Sequence, residues 1–193
     1  DFPDMAIVVA DASNLKRNLL LFSQVRDLGI PTVLALNMID IAESEGYVIN
    51  SIKLARELNV EVAEVNAKKG IGLNGLKLSV VKTLQNRFAS NDALPLPVSD
   101  DIIQEVQANF GEAEMYRSLL WLMEHDRMKM FDAKQRETLD AIQNKHHFSS
   151  KKYQSEETVK RYEQITEVVD RCVINLNRQW DAVPVRTWTD RLD

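Results

Sequence analysis

The sequence has one cysteine, Cys172, among its 193 residues. A single cysteine excludes an internal disulfide and is typical of a reducing compartment. No stretch approaches the roughly 18 consecutive apolar residues of a membrane-spanning helix, and the first residues lack the pattern of a secretory signal peptide. Basic residues are in the minority, and the net charge of −5 argues against nucleic acid or an anionic membrane surface as the main partner.

The remaining composition is that of a soluble globular protein, with 45% hydrophobic and 27% charged residues. The length is sufficient for one domain or two small ones. The chain starts at Asp1 and not at a methionine, and its first apolar run begins at Met5. We therefore expect it to be part of a longer polypeptide.

Three apolar runs predict parallel strands, and the first of them is typical of a strand buried on both faces of a sheet. The runs are Met5–Ala10, Val33–Leu36 and Val60–Val65. An amphipathic pattern predicts a helix after each run. The first of these helices has the inward face Leu15, Leu19, Phe22 and Val25, and the others lie near residues 51–58 and 73–88. Three consecutive β-α units imply a parallel sheet with right-handed crossovers.

The second half of the chain has a different pattern. Pro95 and Pro97 predict a linker over residues 89–98, because proline disrupts helices and sheet ladders. Residues 99–183 show no strand-like alternation and predict four helices packed as a bundle, the last beginning near Ser155. Their inward positions are Ile102, Val106 and Phe110; Met115, Leu119, Leu122 and Met123; Leu139 and Ile142; and Val159, Tyr162, Ile165, Val169, Cys172 and Leu176. The expected fold class is therefore α/β over residues 1–88 followed by an all-α region.

The second strand is followed by Asn37-Met38-Ile39-Asp40, at the sheet edge where α/β proteins usually bind ligands. The Asp40 carboxylate can accept two parallel N–H bonds from guanine, whereas adenine does not offer that pair of donors. Asn37 carries a donor and an acceptor that can tie the loop to its neighbours. The same residues also suit a plain helix N-cap or turn. The third strand, followed by Asn66-Ala67-Lys68, would place a second loop beside the first, which favours the binding site.

Four passages resemble the cytoplasmic part of the bacterial ferrous iron transport protein B (FeoB) family. They are Val8–Leu15 with Arg17-Asn18-Leu19, Leu28–Pro31, Leu34–Asp40 and Asn66–Gly70. A weaker likeness continues into the helical half at Lys160–Ile165. The family joins a small GTPase domain to a helical domain and then to a membrane-spanning permease. The resemblance therefore implies a regulatory GTPase module of an iron transporter, on the cytoplasmic face of the bacterial inner membrane.

The resemblance also implies the residues of a guanine-binding site. They are Asn37, Met38, Ile39, Asp40, Asn66, Ala67 and Lys68. Asn37 and Asp40 would bind the base, Ala67 would donate its backbone N–H to the base carbonyl, and Lys68 would lie over the ring. The family usually has serine or threonine at the position of Asn66. Its helical domain is described as a guanine-nucleotide dissociation inhibitor, and residues 184–193 resemble the lead-in to its first membrane helix.

The sequence contains no Gly-x-x-x-x-Gly-Lys-Ser/Thr loop and no Asp-x-x-Gly element. Those elements hold phosphate and Mg²⁺ and support hydrolysis, and in the family they precede the region that this chain resembles. We therefore predict no catalytic residues, no GTP hydrolysis and only very weak binding of GTP or GDP. Without the neighbouring strand, Met5–Val9 would be an open sheet edge. This predicts self-association through that edge, or a disordered first half.

Two other functions share some of these features. A soluble GTPase of the ribosome-assembly or tRNA-modification type has the same strand-end motifs, but such proteins usually carry a basic RNA-facing surface that this acidic chain does not indicate. A non-enzymatic helical interaction module with a decayed α/β half is harder to reconcile with the intact pair Asn37 and Asp40.

Several remaining residues have a structural interpretation. His146 and His147 are adjacent and would point about 100° apart on a helix, so the sequence assigns no metal site. Cys172 is expected to be a buried thiol. The four methionines of the helical half are expected to fill its core; they are Met115, Met123, Met128 and Met130. Trp180 and Trp188 fit either anchors before a membrane segment or packing onto the bundle.

Overall fold

The structure is a computed structural model that describes residues 3–86, 98–111 and 114–176. Within these ranges the strands are β1 (Ala6–Asp11), β2 (Thr32–Asn37), β3 (Tyr47–Ile49), β4 (Glu61–Glu64) and β5 (Val173–Asn175). The helices are α1 (Leu15–Asp27), α2 (Ile39–Ser44), α3 (Ser51–Leu58), α4 (Leu73–Asn86), α5 (Asp100–Phe110), α6 (Met115–Glu124), α7 (Ala133–Lys145) and α8 (Ser150–Cys172). None of these helices is long and apolar enough to cross a membrane.

Two of the sequence predictions fall outside the described residues. The linker predicted at residues 89–98 does so except for Val98, and the tail that contains Trp180 and Trp188 does so entirely. The division into domains at that linker therefore stays a prediction.

Strands β1, β2 and β4 form the predicted parallel sheet, in the order β1-β2-β4. The central strand β2 is fully enclosed, since residues 33–36 have no exposed surface. Helices α1, α3 and α8 cover one face of the sheet, and α4 packs on β2 and β4. A sheet with helices on both faces confirms the α/β fold expected from the apolar runs.

The first strand differs from its prediction as a strand buried on both faces. Val8 and Ala10 pack into the core, but Ile7 is 47% and Val9 59% exposed. The reason is its position, because among the described strands β1 has only β2 as a neighbour. Residues 6–11 nevertheless form a regular strand, so the alternative prediction of a disordered first half is wrong.

A first hydrophobic core joins the sheet to α8, the last helix among the described residues. Its buried members are Ala10, Leu15, Leu19, Phe22, Leu34, Leu36, Leu54, Leu58, Ile165, Val169 and Cys172. The carboxyl-terminal half of α8 therefore packs on α1 and α3, which supplies the partner that its apolar stripe requires. The prediction of a buried thiol at Cys172 is confirmed, and this burial raises its pKa.

Helix α8 also corrects the sequence analysis. It begins at Ser150 and not near Ser155, and two members of the predicted inward stripe, Val159 and Leu176, are 54% and 50% exposed. The buried face instead includes the charged residues Glu157 and Arg161. A hydrophobic pattern cannot detect such positions, because their burial depends on ion pairing with residues far along the chain.

The prediction that the second half contains no strand is wrong. Residues Val173–Asn175 leave α8 as β5 and pair antiparallel with β3, with Val48 opposite Ile174. The segment between β2 and α3, for which the sequence predicts neither helix nor strand, forms both α2 and β3. A strand of three residues gives almost no periodic signal in the sequence. In addition, β3 and β5 pair with each other although they lie more than 100 residues apart in the chain.

A second hydrophobic core lies between α5, α6, α7 and the start of α8. Its buried members are Ile102, Ile103, Val106, Leu119, Trp121, Leu122, Phe131, Leu139, Ile142 and Phe148. Met123 and Met128 pack against it as predicted. Met115 and Met130 are 44% and 60% exposed, so their prediction as core residues is wrong. Met115 is the first residue of α6 and Met130 lies in a turn, where neither faces the bundle interior.

Candidate functional site

The carboxyl ends of β2 and β4 lie side by side. Leu36 pairs with Glu64 in register, and the backbone N–H of Val65 donates to the carbonyl of Leu36 at 2.8 Å. The two loops that the sequence singles out therefore leave the sheet at the same edge, as expected for parallel neighbours. We call residues 37–40 the first loop and residues 66–71 the second loop.

Asn37 connects the two loops directly. Its Oδ1 accepts a hydrogen bond of 3.1 Å from the backbone N–H of Ala67. This agrees with the prediction that Asn37 ties its loop to a neighbour. It also means that the N–H assigned to the base carbonyl is here donated to Asn37, so a base could receive that bond only if this contact changed.

Asp40 lies at the rim of the site with 49% of its side chain exposed. Its Oδ2 accepts from Asn66 Nδ2 at 3.0 Å and from Lys69 Nζ at 3.3 Å. The hydrogen bond from Lys69 lowers the pKa of Asp40 below its ordinary 3.8. The carboxylate is therefore ionised at neutral pH, which a bidentate contact to guanine requires.

The plain N-cap interpretation of these residues does not describe the structure. The N-cap of α2 is Met38, whose side chain makes no capping hydrogen bond. Met38 adopts the left-handed conformation with a φ of 63°, which costs about 1–2 kcal/mol for a non-glycine residue. The side chains of Asn37 and Asp40 instead contact the second loop, and backbone N–H groups at the start of α2 also help to lower the pKa of Asp40.

Asn66 stands where the family that the sequence resembles usually has serine or threonine, and it still holds the two loops together. Its Nδ2 donates to Asp40, while its Oδ1 accepts from the backbone N–H of Lys69 at 3.0 Å. Its own backbone forms a bridge with Ile71. The side-chain amide has enough donors and acceptors to serve both contacts at once.

A glycine fixes the end of the second loop. Gly72 has a φ of +83°, and a Cβ at this position would overlap the carbonyl oxygen of Glu64. The chain passes so close to the end of β4 that only glycine fits, both for its conformation and for space. Gly72 therefore sets the distance at which the second loop returns to the sheet.

The other candidate residues lie at the same edge but differ in exposure. Met38 is 37% exposed, and Lys68 is exposed. Ile39 packs against the first core, so its contribution is to hold α2 on the sheet. Sequence reasoning missed Lys69, which contacts Asp40 where the motif had pointed to Lys68. The only signal was the presence of two consecutive lysines in the second loop.

Comparison with known sequences identifies relatives of this chain. Residues 1–80 match the family model described as ferrous iron transport protein B. The Fe(2+) transporter FeoB of Escherichia coli is 40% identical over 93 residues, which are 48% of this chain and 11% of that protein. FeoB of Salmonella typhimurium is 41% identical over 93 residues with the same coverage. The match thus spans only 11% of the length of these curated relatives.

Solved structures extend the likeness into the helical half. The cytosolic domain of L. pneumophila FeoB has a TM-score of 0.69 at 29% identity, covering 90% of this chain and 69% of that chain. A GDP-bound mutant of the S. thermophilus FeoB G-domain has a TM-score of 0.63 at 25% identity, covering 89% and 70%. Residues 1–80 are thus similar in sequence to the ferrous iron transport protein B family, and the fold is similar to that of the solved cytosolic FeoB structures.

Proposed function

We propose that this chain is a guanine-nucleotide-binding regulatory module of a ferrous iron transporter. The observation that carries the proposal is the Asp40 carboxylate, which is ionised and half exposed at the rim between two strand ends. A carboxylate offers about four lone-pair positions. Oδ2 already accepts from Asn66 and Lys69, so Asp40 can accept the N1–H and exocyclic amine of guanine and keep its bond to Asn66 if Lys69 moves away. The GDP in a related G-domain structure supports the choice of nucleotide.

We assign the guanine-binding site to seven residues of the two loops. They are Asn37, Met38, Ile39, Asp40, Asn66, Ala67 and Lys68. Asp40 selects guanine, while Asn37 and Asn66 hold the two loops in register. Ile39 supports the site indirectly, because its packing against the first core holds α2 on the sheet. The phosphates and Mg²⁺ would be held by elements that this sequence does not contain, so we expect no hydrolysis by this chain.

We further propose that the helical region modulates GDP release. A short connection supports this: β5 follows α8 and pairs with β3, and β3 follows α2, which carries Asp40. The backbone N–H of Leu176 donates to the carbonyl oxygen of Gly46 at 2.8 Å, and the backbone N–H of Asn50 donates to the carbonyl oxygen of Cys172 at 2.9 Å. A displacement of α8 would therefore move β5 and β3, and with them α2, which carries the base-binding carboxylate of Asp40.

The same proposal places the chain on the cytoplasmic face of a bacterial inner membrane. Its partner would be the permease domain of the same polypeptide, because the curated relatives are Fe(2+) transporters about nine times longer than the matched segment, which is 11% of their length. The nucleotide state would reach the permease through α8 and the residues that follow it.

Self-association is a separate proposal, which rests on the open edge of β1. Its outward side chains Ile7 and Val9 are 47% and 59% exposed. Apolar side chains beside unpaired backbone N–H and C=O groups are a template for pairing with another strand. We propose that two copies of the chain pair along this edge.

The nucleotide proposal can be tested on this chain with GDP and ADP, followed by amide chemical shifts. We expect GDP, and not ADP, to shift the amides of Asn37, Asp40 and Ala67, with an affinity in the millimolar range because the phosphate contacts are missing. Asp40→Asn should abolish the preference for GDP. Glu43→Gln, an exposed acid on the same helix, is the matched control and should leave it unchanged.

Equal responses to GDP and ADP would overturn the base-recognition role. Micromolar affinity for GDP would contradict the prediction of missing phosphate contacts and would leave base recognition intact. In a protein that also carries the phosphate-binding loop, Asp40→Asn should weaken GTP binding by more than about tenfold.

A further inference from the structure

His125 is a buried histidine whose ring is held in place by its neighbours. It follows α6 in a single 3-10 turn and is 2% exposed. Its Nδ1 lies 3.2 Å from the carbonyl oxygen of Trp121 and 3.1 Å from that of Leu122. Carbonyl oxygens only accept hydrogen bonds. Nδ1 must therefore carry a proton and donate it to the backbone.

The other ring nitrogen faces two carboxylates. Nε2 of His125 lies 3.1 Å from Oδ1 of Asp140 and 3.7 Å from Oδ1 of Asp126. In a neutral imidazole with its proton on Nδ1, Nε2 presents a lone pair. A buried lone pair that points at two anionic oxygens is unsatisfied unless a second proton or a metal cation lies between them.

We propose that His125, Asp126 and Asp140 bind a divalent first-row transition-metal ion. Their ligand atoms all lie within 4.8 Å of one another. An ion that is about 2.1 Å from each ligand brings ligand atoms to within about 4.2 Å. The two aspartates are 83% and 55% exposed, so small rotations of their side chains close the site.

The charge and the donor set fit such an ion. A neutral imidazole with two carboxylates carries a charge of −2, which balances a divalent cation, and the solvent side leaves room for water ligands. One imidazole nitrogen with carboxylate oxygens suits Zn²⁺, Co²⁺, Fe²⁺ or Mn²⁺, whereas Ca²⁺ and Mg²⁺ prefer oxygen alone. The two backbone carbonyls that hold Nδ1–H provide the orienting contact that metal-bound histidines usually have.

His146 provides an internal comparison. Its Nε2 lies 2.7 Å from Glu105 and its Nδ1 lies 3.6 Å from Asp101. Both ring nitrogens of His146 therefore face carboxylates. In these contacts neither nitrogen lies against a backbone carbonyl, as Nδ1 of His125 does. Lys145 also reaches Glu105, at 2.8 Å, and supplies the positive charge there. The His146 group is an ion-pair network, which makes Asp101→Asn a matched control.

The experiment uses the full chain and Co²⁺ alone, followed by titration calorimetry and by the visible absorption of the bound ion. Wild type should bind one Co²⁺ per chain. Asp126→Asn and Asp140→Asn should each weaken binding by about tenfold or more, and Asp101→Asn should bind as wild type. Thermal unfolding without metal checks that the variants fold, which is expected because the replaced side chains are exposed.

The proposal is overturned if wild type shows no saturable Co²⁺ binding, or if Asp140→Asn and Asp126→Asn bind as wild type. A second measurement covers the case in which one variant fails to fold. With Zn²⁺, the ¹⁵N signal of His125 Nε2 should change from its metal-free position. A doubly protonated ring that persists at saturating Zn²⁺ would show that a proton, and not a metal ion, occupies the site.

Discussion

Nη1 of Arg161 in α8 donates a hydrogen bond of 2.7 Å to Oδ2 of Asp27 in α1, and both side chains are buried. Nε of Arg161 donates to Oε1 of Glu157, and the guanidinium lies 4.9 Å from the ring centre of Tyr116 in α6. This Arg161 network joins three helices at one point. Glu157 and Asp27 both pair with this cation, and Nη2 of Arg26 also reaches Oδ1 of Asp27 at 3.3 Å.

Removal of Arg161 should destabilise the fold strongly. We expect Arg161→Met to lower the free energy of unfolding by about 3–5 kcal/mol, because it removes the cation that pairs with buried Glu157 and leaves buried Asp27 with Arg26 alone. Urea denaturation measures the change. Lys160→Met, an exposed neighbour on the same helix, should change the free energy by no more than about 0.5 kcal/mol. Equal losses in the two variants would show that the network does not stabilise the fold.

The pKa of Asp40 should depend on Lys69 and not on Lys68. Because Lys69 lowers this pKa below 3.8, their ion pair is present above the ordinary value and is lost as the pH falls through the lowered one. Lys69→Met should return the pKa of Asp40 towards 3.8, as measured by ¹³C NMR of the carboxyl group. Lys68→Met is the control. An unchanged pKa in Lys69→Met would contradict the contact.

Two glycines of the second loop region should respond differently to alanine. Both Gly70 and Gly72 have a positive φ, but a Cβ at Gly70 meets nothing within 4 Å whereas one at Gly72 meets the Glu64 carbonyl. Gly70→Ala should cost about 1–2 kcal/mol from backbone strain alone. Gly72→Ala should cost more and should also shift the amide of Ala67. Thermal unfolding and amide spectra test this pair, and equal effects would argue against a close approach at Gly72.

Self-association should depend on the outward face of β1. Wild type should show a mass that rises with concentration in sedimentation experiments, and Ile7→Lys should shift the chain to monomer because charge on an edge strand opposes pairing. Leu21→Lys, at a site on α1 with 59% exposure, is the matched control for the loss of an exposed apolar side chain. A wild type that stays monomeric at all concentrations would end this proposal.

The sequence was most informative where an element is decided by local residues. The core strand β2 could be predicted because residues 33–36 are apolar and enclosed from both faces. The pair β3 and β5 could not be predicted, since three residues carry no clear period and their pairing joins Tyr47 to Asn175. The buried face of α8 was predicted incorrectly for a similar reason. Arg161 is buried because it pairs with Asp27, which lies on α1 and far away in the sequence.

The candidate site shows the same division. The contact between the first loop, which carries Asn37 and Asp40, and the second loop could be predicted because both loops follow strands that are parallel neighbours, whereas the role of Asn37 and Asp40 toward guanine stays a proposal. The contribution of Lys69 could not be predicted, because its contact with Asp40 depends on how the second loop returns to the sheet through Gly72. The cluster at His125 was also missed, since Asp140 reaches it from another helix and adjacent charges in a turn are common.

The completion of the first core by α8 has a consequence for synthesis on the ribosome. Its members up to Leu58 are synthesised early, but Ile165, Val169 and Cys172 follow only about 100 residues later. At about 5–20 residues per second, the delay between them is on the order of ten seconds. During that time α1 and α3 alone cover this face of the nascent sheet, so we expect the apolar positions that α8 occupies to stay exposed until translation has passed Cys172.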